Sequence, residues 1–346
     1  MKTALLDYAL PERSIAVRPL PERDGARLLV LGQGGIEHRR IVYFPDLVPE
    51  GALVVVNDTR VRHARVLLTK RGTGGKVELL LLRRLQAQPA SELWQALGRA
   101  NKPLREGAVL EAPGLEAVLA RQGDPLEVEL RAEGGVDAWL AHAGHVPIPP
   151  YLGRLDEPDD AERYQTVFAR DIGSVAAPTA GLHLSEPLIE RLRARGLVLA
   201  RLTLEIGLGT FRPVEADDLD QHPMHSETLE ITPELASEVA RARRRGAPVV
   251  AIGTTVVRAL EATADPERPG EVRPFRGETR LLIQPGYSFR VVDALLTNFH
   301  QPKSTLLALV GAFAGLPRVL EAYAVAVSEG YRFLSYGDAM WLPGRA

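Results

Sequence analysis

Leu53-Val54-Val55-Val56-Asn57 runs directly into Asp58-Thr59-Arg60. A short apolar run that stops at a polar cluster reads as a buried strand feeding a loop. Beyond it the texture changes. Between about Val61 and Gly144, β-like runs recur at Val77–Leu82, Leu93–Leu97, Val109–Glu111 and Leu126–Leu130. Glycine or proline separates them, at Gly72, Gly74, Gly75, Pro103, Gly107, Pro113, Gly114 and Gly123. Short strands punctuated in this way predict a small all-β domain, closed as a barrel.

The second half alternates helix and strand. Ser185 is placed to cap a helix that reaches Arg195 and stops at Gly196. Thr232-Pro233 opens another, which reaches Arg245 and stops at Gly246. Further helices are predicted over Val256–Ala262 and from about Thr305 to Phe313, and strands over Val198–Ile206, Val249–Ile252, Leu281–Ile283 and Tyr331–Leu334. This is the pattern of a layered α/β domain. Leu53–Asn57 is assigned to it, so the β-barrel becomes an insertion. The expected division is residues 1–60 and 150–346 for the α/β domain and 61–149 for the barrel, with the proline-stiffened Gly144–Tyr151 as the return linker.

Composition narrows the function classes. Hydrophobic residues make up 45% of the 346 and charged residues 25%, the balance of a globular protein. The longest apolar run, Leu306–Leu316, is too short to cross a bilayer, and Asp7 and Pro11 interrupt any secretory h-region. A cytoplasmic monomer with no membrane contact is expected. The chain has no cysteine, which excludes disulfides, zinc–thiolate sites, iron–sulfur clusters and a cysteine nucleophile. Net charge is −2 but unevenly spread. From Arg60 to Arg105, eleven Lys and Arg face only Glu78 and Glu92, a local +9. Such a segment suits a polyanionic partner, and a merely solvated basic face is the competing reading.

Common ligand signatures are missing. There is no GxGxxG after a strand and no HExxH, and Lys76 follows two glycines but precedes Val77 where a phosphate loop needs Ser or Thr. The pairs His142/His145 and His222/His225 lack a third ligand, so no metal is expected. More informative are the polar or glycine-rich loops at element boundaries. Ile252-Gly253-Thr254-Thr255 precedes a helix, and its free N–H groups suit an anion, although plain capping by Thr254 is an alternative. Pro178-Thr179-Ala180-Gly181-Leu182-His183 is built of small residues that let a ligand approach the backbone. Glu205-Ile206-Gly207-Leu208-Gly209-Thr210 ends a strand, where α/β folds bind ligands. Thr297-Asn298-Phe299-His300 and Ser335-Tyr336-Gly337-Asp338 repeat the theme.

These strings resemble, in this order, the S-adenosylmethionine:tRNA ribosyltransferase-isomerase family of queuosine biosynthesis. The matching motifs are NDTRV (Asn57–Val61), GGK (Gly74–Lys76), GHVPIPPY (Gly144–Tyr151), YQTV (Tyr164–Val167), AAPTAGLH (Ala176–His183), GLGTFRPV (Gly207–Val214), MHSE (Met224–Glu227), AIGTTVVRALE (Ala251–Glu261), QPGY (Gln284–Tyr287), VDALLTNFH (Val292–His300), STLLALV (Ser304–Val310) and YRFLSYGDAM (Tyr331–Met340). They span nearly the whole chain. The resemblance implies an α/β domain with an inserted β-barrel. It implies transfer of the ribosyl part of S-adenosylmethionine, a co-substrate, to the aminomethyl-deazaguanine wobble base of tRNA. The ribosyl group is rearranged to an epoxycyclopentanediol, and adenine and methionine leave. No prosthetic group or metal is implied.

That chemistry needs a base at the acidified 5′ C–H, an acid for the departing adenine, and donors for alkoxides as the ribose opens. The acid/base candidates are His183, Glu205, His225, His300 and Asp338. Candidate substrate-binding residues are Asn57, Arg60, Thr179, Gly181, Gly207, Gly209, Thr210, Thr254, Thr255 and Arg258, with Arg60 or Arg258 as a clamp for the methionine carboxylate. Arg62, Arg65, Lys76, Arg83, Arg84 and Lys102 are the candidate tRNA contacts. The chain departs from the family in one place that matters, since the family commonly carries His where this chain has Glu205. Two other classes compete. A methyltransferase would want a glycine fingerprint after an early strand. A noncatalytic RNA-binding module would want aromatics among the basic residues, where Trp94 and His63 alone occur.

Overall fold

The computed structural model describes residues 1–207 and 214–345. Leu53–Asn57 lies inside a nine-stranded sheet and is buried along its whole length, as its valine run requires. It pairs in parallel with Val198–Leu204 on one side and Val249–Ile252 on the other. Val249–Ile252 pairs in parallel with Ala294–Asn298, so four neighbouring strands point the same way. Beyond Ala294–Asn298 come Ala339–Leu342, Arg27–Gly32 and the edge strand Gly35–Arg40. Beyond Val198–Leu204 come Glu227–Ile231 and the other edge, Phe275–Thr279, both antiparallel.

Successive side chains of the central strand feed two separate cores. Leu53 and Val55 pack with Val256, Leu260, Leu307 and Val310 on one face, and Val54 and Val56 with Leu188, Leu192 and Trp341 on the other. Each such burial is worth roughly 1.5–3 kcal/mol, so a polar residue anywhere in the run would cost about as much. Two helices that flank the sheet start and stop where the sequence says. Ser185 Oγ accepts the Leu188 N–H at 3.2 Å and Thr232 Oγ1 accepts the Leu235 N–H at 3.3 Å. Gly196 and Gly246, at φ +75° and +67°, end the two helices.

Six strands form the expected closed barrel: Arg65–Lys70, Lys76–Ala87, Glu92–Ala100, Val109–Ala112, Leu115–Arg121 and Leu126–Ala132. Leu79, Leu81, Trp94, Val128 and Leu130 fill it. Arg65–Lys70 and Leu115–Arg121 carry charges at their ends and do not stand out as strands in the sequence.

Several expected elements need correction. Leu281–Ile283 is not a strand. The Thr279 hydroxyl accepts the Leu281 N–H at 3.2 Å and ends the ladder, and the strand is the more polar Phe275–Thr279. Tyr331–Leu334 is irregular, touching the fold through an isolated bridge from Ile15 to Phe333, and the strand comes after the next turn, at Ala339–Leu342. The strand from Val198 stops at Leu204 rather than Ile206. The helix expected from Val256 begins at Thr254, with Gly253 as its cap, so capping by Thr254 does not occur. A second apolar helix, Leu316–Ser328, follows Thr305–Ala314. Among the described residues no single helix is long and apolar enough to cross a membrane.

Candidate active site

The four parallel strands end at one place, and a cavity of about 140 Å³ opens there. This is where an open α/β sheet leaves room for a ligand. At the end of Val249–Ile252 the chain turns at Gly253, whose φ of +96° suits glycine, into the nine-residue helix Thr254–Ala262. The cap residue is a glycine, with no side chain of its own to satisfy the first N–H groups, and Thr254 and Thr255 line the cavity at the positive end of the helix dipole. Arg258, one turn further along the same face, lines it too.

Arg258 is buried and its donors are unevenly used. Nη1 is paired with the buried Glu227 carboxylate, and Nε donates to the Leu281 carbonyl at 3.2 Å. Nη2 is buried without a partner among the described residues. Burial raises the Glu227 carboxyl above its usual range, while Arg258 and the Gly207 N–H oppose the rise. Glu227 closes the Met224–Glu227 string, but the sequence alone assigns it no role. Its position opposite a helical arginine is a property of the sheet.

The end of Ala294–Asn298 brings in two histidines. His300 lines the cavity, with Nε2 2.8 Å from the Thr297 hydroxyl, and burial lowers its pKa to about 3. His183 lies behind the wall. Asn298 Nδ2 donates to the Leu334 carbonyl at 3.0 Å and to His183 Nε2 at 3.3 Å, which assigns the proton of a neutral His183 to Nδ1. Burial, then the Arg332 charge, lowers the pKa of His183 to about 4. Both rings are therefore neutral near pH 7. His225 and His222 also line the cavity, with Tyr151 and Thr179. Two non-glycine residues at positive φ, Lys303 (+54°) and Leu334 (+70°), also border this cavity. Local strain of this kind is characteristic of functional loops.

The other sequence candidates lie elsewhere. Glu205 does not line the cavity, whereas its neighbour Ile206 does. The Glu205 side chain packs against Gly173, and burial raises its pKa while Arg62, Arg83 and Arg276 lower it. Asp338 is buried with its carboxylate on the Arg27 and Arg332 N–H groups, at 2.9 and 2.8 Å, which pins a turn. Asn57 ties its strand to Leu204, whose C=O accepts at 2.9 Å and whose N–H donates at 3.1 Å. Arg60 is exposed, outside the cavity lining. Gly181 packs against Phe168 and Thr166, with no room for a Cβ. Gly207 uses its N–H on Glu227. Gly209 and Thr210 lie outside the described residues.

The basic segment divides. Arg62 is mostly buried, its guanidinium 4.7 Å from the centre of the Trp94 ring. Arg65 pairs with Glu78 at 2.8 Å, Arg83 with Glu278 at 2.9 Å and Arg84 with Asp137 at 3.0 Å. Lys76 and Lys102 are exposed. Among the described residues no three His, Asp or Glu side chains gather as a metal site.

The comparisons with known proteins agree with this architecture. The pattern of the family described as queuosine biosynthesis protein matches residues 3–342. The S-adenosylmethionine:tRNA ribosyltransferase-isomerase of Sorangium cellulosum is 56% identical over 370 residues, covering 99% of both chains. That of Anaeromyxobacter dehalogenans is 52% identical, again over 99% of both. The crystal structure of S-adenosylmethionine tRNA ribosyltransferase from Thermotoga maritima is 32% identical, covers 98% of this chain and 99% of its own, and superposes with a TM-score of 0.55. With its inserted barrel and its cavity at the ends of four parallel strands, the chain belongs to the queuosine biosynthesis protein family.

Proposed function

We propose that this protein transfers and isomerises the ribosyl part of S-adenosylmethionine onto the aminomethyl-deazaguanine wobble base of tRNA, releasing adenine and methionine. Relatives of that name match the chain from end to end. One local observation carries the reading. A buried arginine with one donor unused among the described residues and a helix N-terminus capped only by glycine border the same cavity. Together they suit the carboxylate at the methionine end of the co-substrate.

The remaining roles follow from what each side chain can do. The sulfonium acidifies the 5′ C–H, and a neutral imidazole can accept that proton. His300 and His225 are the two acid/base candidates in the cavity, and the same pair can return a proton to adenine as it leaves. Burial disfavours the His300 imidazolium, which weakens that ring as a base and makes it a strong donor once protonated. The Thr179, Thr254 and Thr255 hydroxyls and the first N–H groups of the helix supply donors where alkoxides develop. The reaction belongs in the cytoplasm, where tRNA and S-adenosylmethionine meet, and needs no prosthetic group.

The test is product analysis. Purified protein, aminomethyl-deazaguanine tRNA and S-adenosylmethionine should yield adenine and methionine in equal amounts. S-adenosylhomocysteine with methylated tRNA would identify a methyltransferase instead.

A further inference from the structure

The basic segment of the barrel is not one surface, and the part that remains charged lies at a single end. The chain enters the barrel at Arg65 and leaves it at Ala132, where paired strands share one end. That end faces the large sheet, since Arg83, beyond the middle of its strand, reaches Glu278 on the edge strand Phe275–Thr279. The opposite end is made by the turn after Lys70, the segment from Asn101 to Ala108 and the turn after Arg121. These are joined by hydrogen bonds from Arg71 N–H to Val109 C=O at 2.9 Å and from Gln122 N–H to Glu106 at 3.1 Å.

Near the large sheet the barrel's own cations are engaged within the protein, Arg83 on Glu278, Arg84 on Glu92 and Asp137, and Arg62 mostly buried over Trp94, whereas Arg60, before the barrel, is exposed. Arg65 and Arg71 are also paired, with Glu78 and with Glu111 and Glu116. At the opposite end Lys70, Lys76, Arg99, Lys102 and Arg105 form no ion pair with any described residue, and all but Lys70 are exposed. Strand pairing brings them together. Lys76 pairs with Thr69, next to Lys70, and Val77 pairs with Ala100, between Arg99 and Lys102. Between Arg60 and Arg105 the one Phe, Tyr or Trp is Trp94, buried inside the barrel, so this segment offers cations to phosphates but no exposed ring on which to stack bases.

We propose that this end of the barrel binds the phosphate backbone of the RNA substrate, away from the reacting base, and supplies sequence-independent affinity. The proposal rests on the tRNA reading given above and adds to it which five cations meet the phosphates. It also removes Arg83 and Arg84 from the contact surface, because their charges are already neutralised.

The experiment is a salt series of tRNA binding for the wild type, for Lys76→Glu/Lys102→Glu and for Arg83→Gln/Arg84→Gln. Adenine release is measured on the same samples. The Lys variant should bind more weakly at every salt concentration, with the slope of log K against log salt reduced by roughly one for each phosphate no longer neutralised. Its affinity for S-adenosylmethionine should stay unchanged. The Arg variant should keep the wild-type slope. An unchanged slope in the Lys variant, or a larger loss in the Arg variant, would overturn the proposal while wild-type adenine release still upheld the enzyme. Absence of adenine release from the wild type would instead count against the functional reading.

Discussion

The rings of Tyr8 and Tyr323 meet edge-on, 5.1 Å between centroids and 86° between planes, with their hydroxyls on the two polar groups of the His300 backbone. Tyr8 donates to the His300 carbonyl at 2.5 Å, and Tyr323 accepts the His300 N–H at 3.0 Å. The segment that contributes Tyr8 adds two further ties to the same loop. Lys303 N–H donates to the Leu6 carbonyl at 2.9 Å, and its ammonium pairs with Asp7 at 2.8 Å. These ties hold a loop whose Lys303 sits at positive φ.

Tyr8→Phe should therefore act on the position of His300. Turnover should fall roughly tenfold, part of the hundredfold that a displacement of about 1 Å can cost, with little change in KM for S-adenosylmethionine. Stability should drop by only about 1 kcal/mol, the net worth of one hydrogen bond. Tyr323→Phe strands a buried N–H and should cost about 1–3 kcal/mol. Steady-state kinetics with melting curves separate the two effects. A Tyr8→Phe enzyme with wild-type turnover would remove Tyr8 from the site.

Arg258 and Glu227 offer a cleaner separation of binding from folding. Removing one partner of a buried pair costs about 3–5 kcal/mol, because the other charge is left unpaired. Arg258→Met alone should be strongly destabilised. The double variant Arg258→Met/Glu227→Leu should recover most of that stability and still bind S-adenosylmethionine poorly. Calorimetric titration checks this. Tight binding by the folded double variant would show that the spare Arg258 donor does not meet the carboxylate.

Burial of the two neutral histidines makes stability depend on pH in a definite direction. Their folded pKa values, about 4 for His183 and about 3 for His300, lie below the ordinary histidine value. The unfolded chain thus takes up protons first as pH falls. The contribution to stability is present above about pH 6.5 and is lost progressively below it, on the order of 1 kcal/mol per histidine for the first pH unit. Melting temperature should decline through this window. His300→Gln should flatten the decline, and an equally steep profile in that variant would count against a buried neutral ring.

Much of the fold is legible in the sequence because it depends on local pattern. The valine run, the Ser185 and Thr232 caps and the glycine stops are each decided within a few residues. Strand Phe275–Thr279 is not legible, since an edge strand needs no apolar run and Phe-Arg-Gly-Glu-Thr has none. Neither is the membership of the site. At a strand end, consecutive side chains point to opposite faces, so a string such as Glu205-Ile206 cannot announce which one meets a ligand. Pairing between distant residues, such as Arg83 with Glu278, likewise depends on how the barrel docks.

Glu205 is the residue for which that distinction has the largest consequence. Sequence position alone makes it a ligand-facing carboxylate, yet Ile206 takes the cavity side and Glu205 lies against Gly173 near the barrel. A Cβ at position 173 would fall 2.6 Å from Glu205 Cδ and 2.7 Å from Cγ, so the two sites are coupled by packing. Glu205→Ala should accordingly change turnover per folded molecule by less than about threefold, well short of the roughly hundredfold that removal of acid–base help would cause. Gly173→Ala should destabilise the protein by about 1–3 kcal/mol through overpacking. In the Glu205→Ala background the same change should cost little, because the side chain it strikes is gone, and the double-mutant cycle should show coupling of about 1 kcal/mol or more. Melting curves of the four proteins measure the coupling, and single-turnover adenine release measures the chemistry. A hundredfold loss in Glu205→Ala with full stability would return Glu205 to the catalytic set and imply that the loop rearranges when substrate binds.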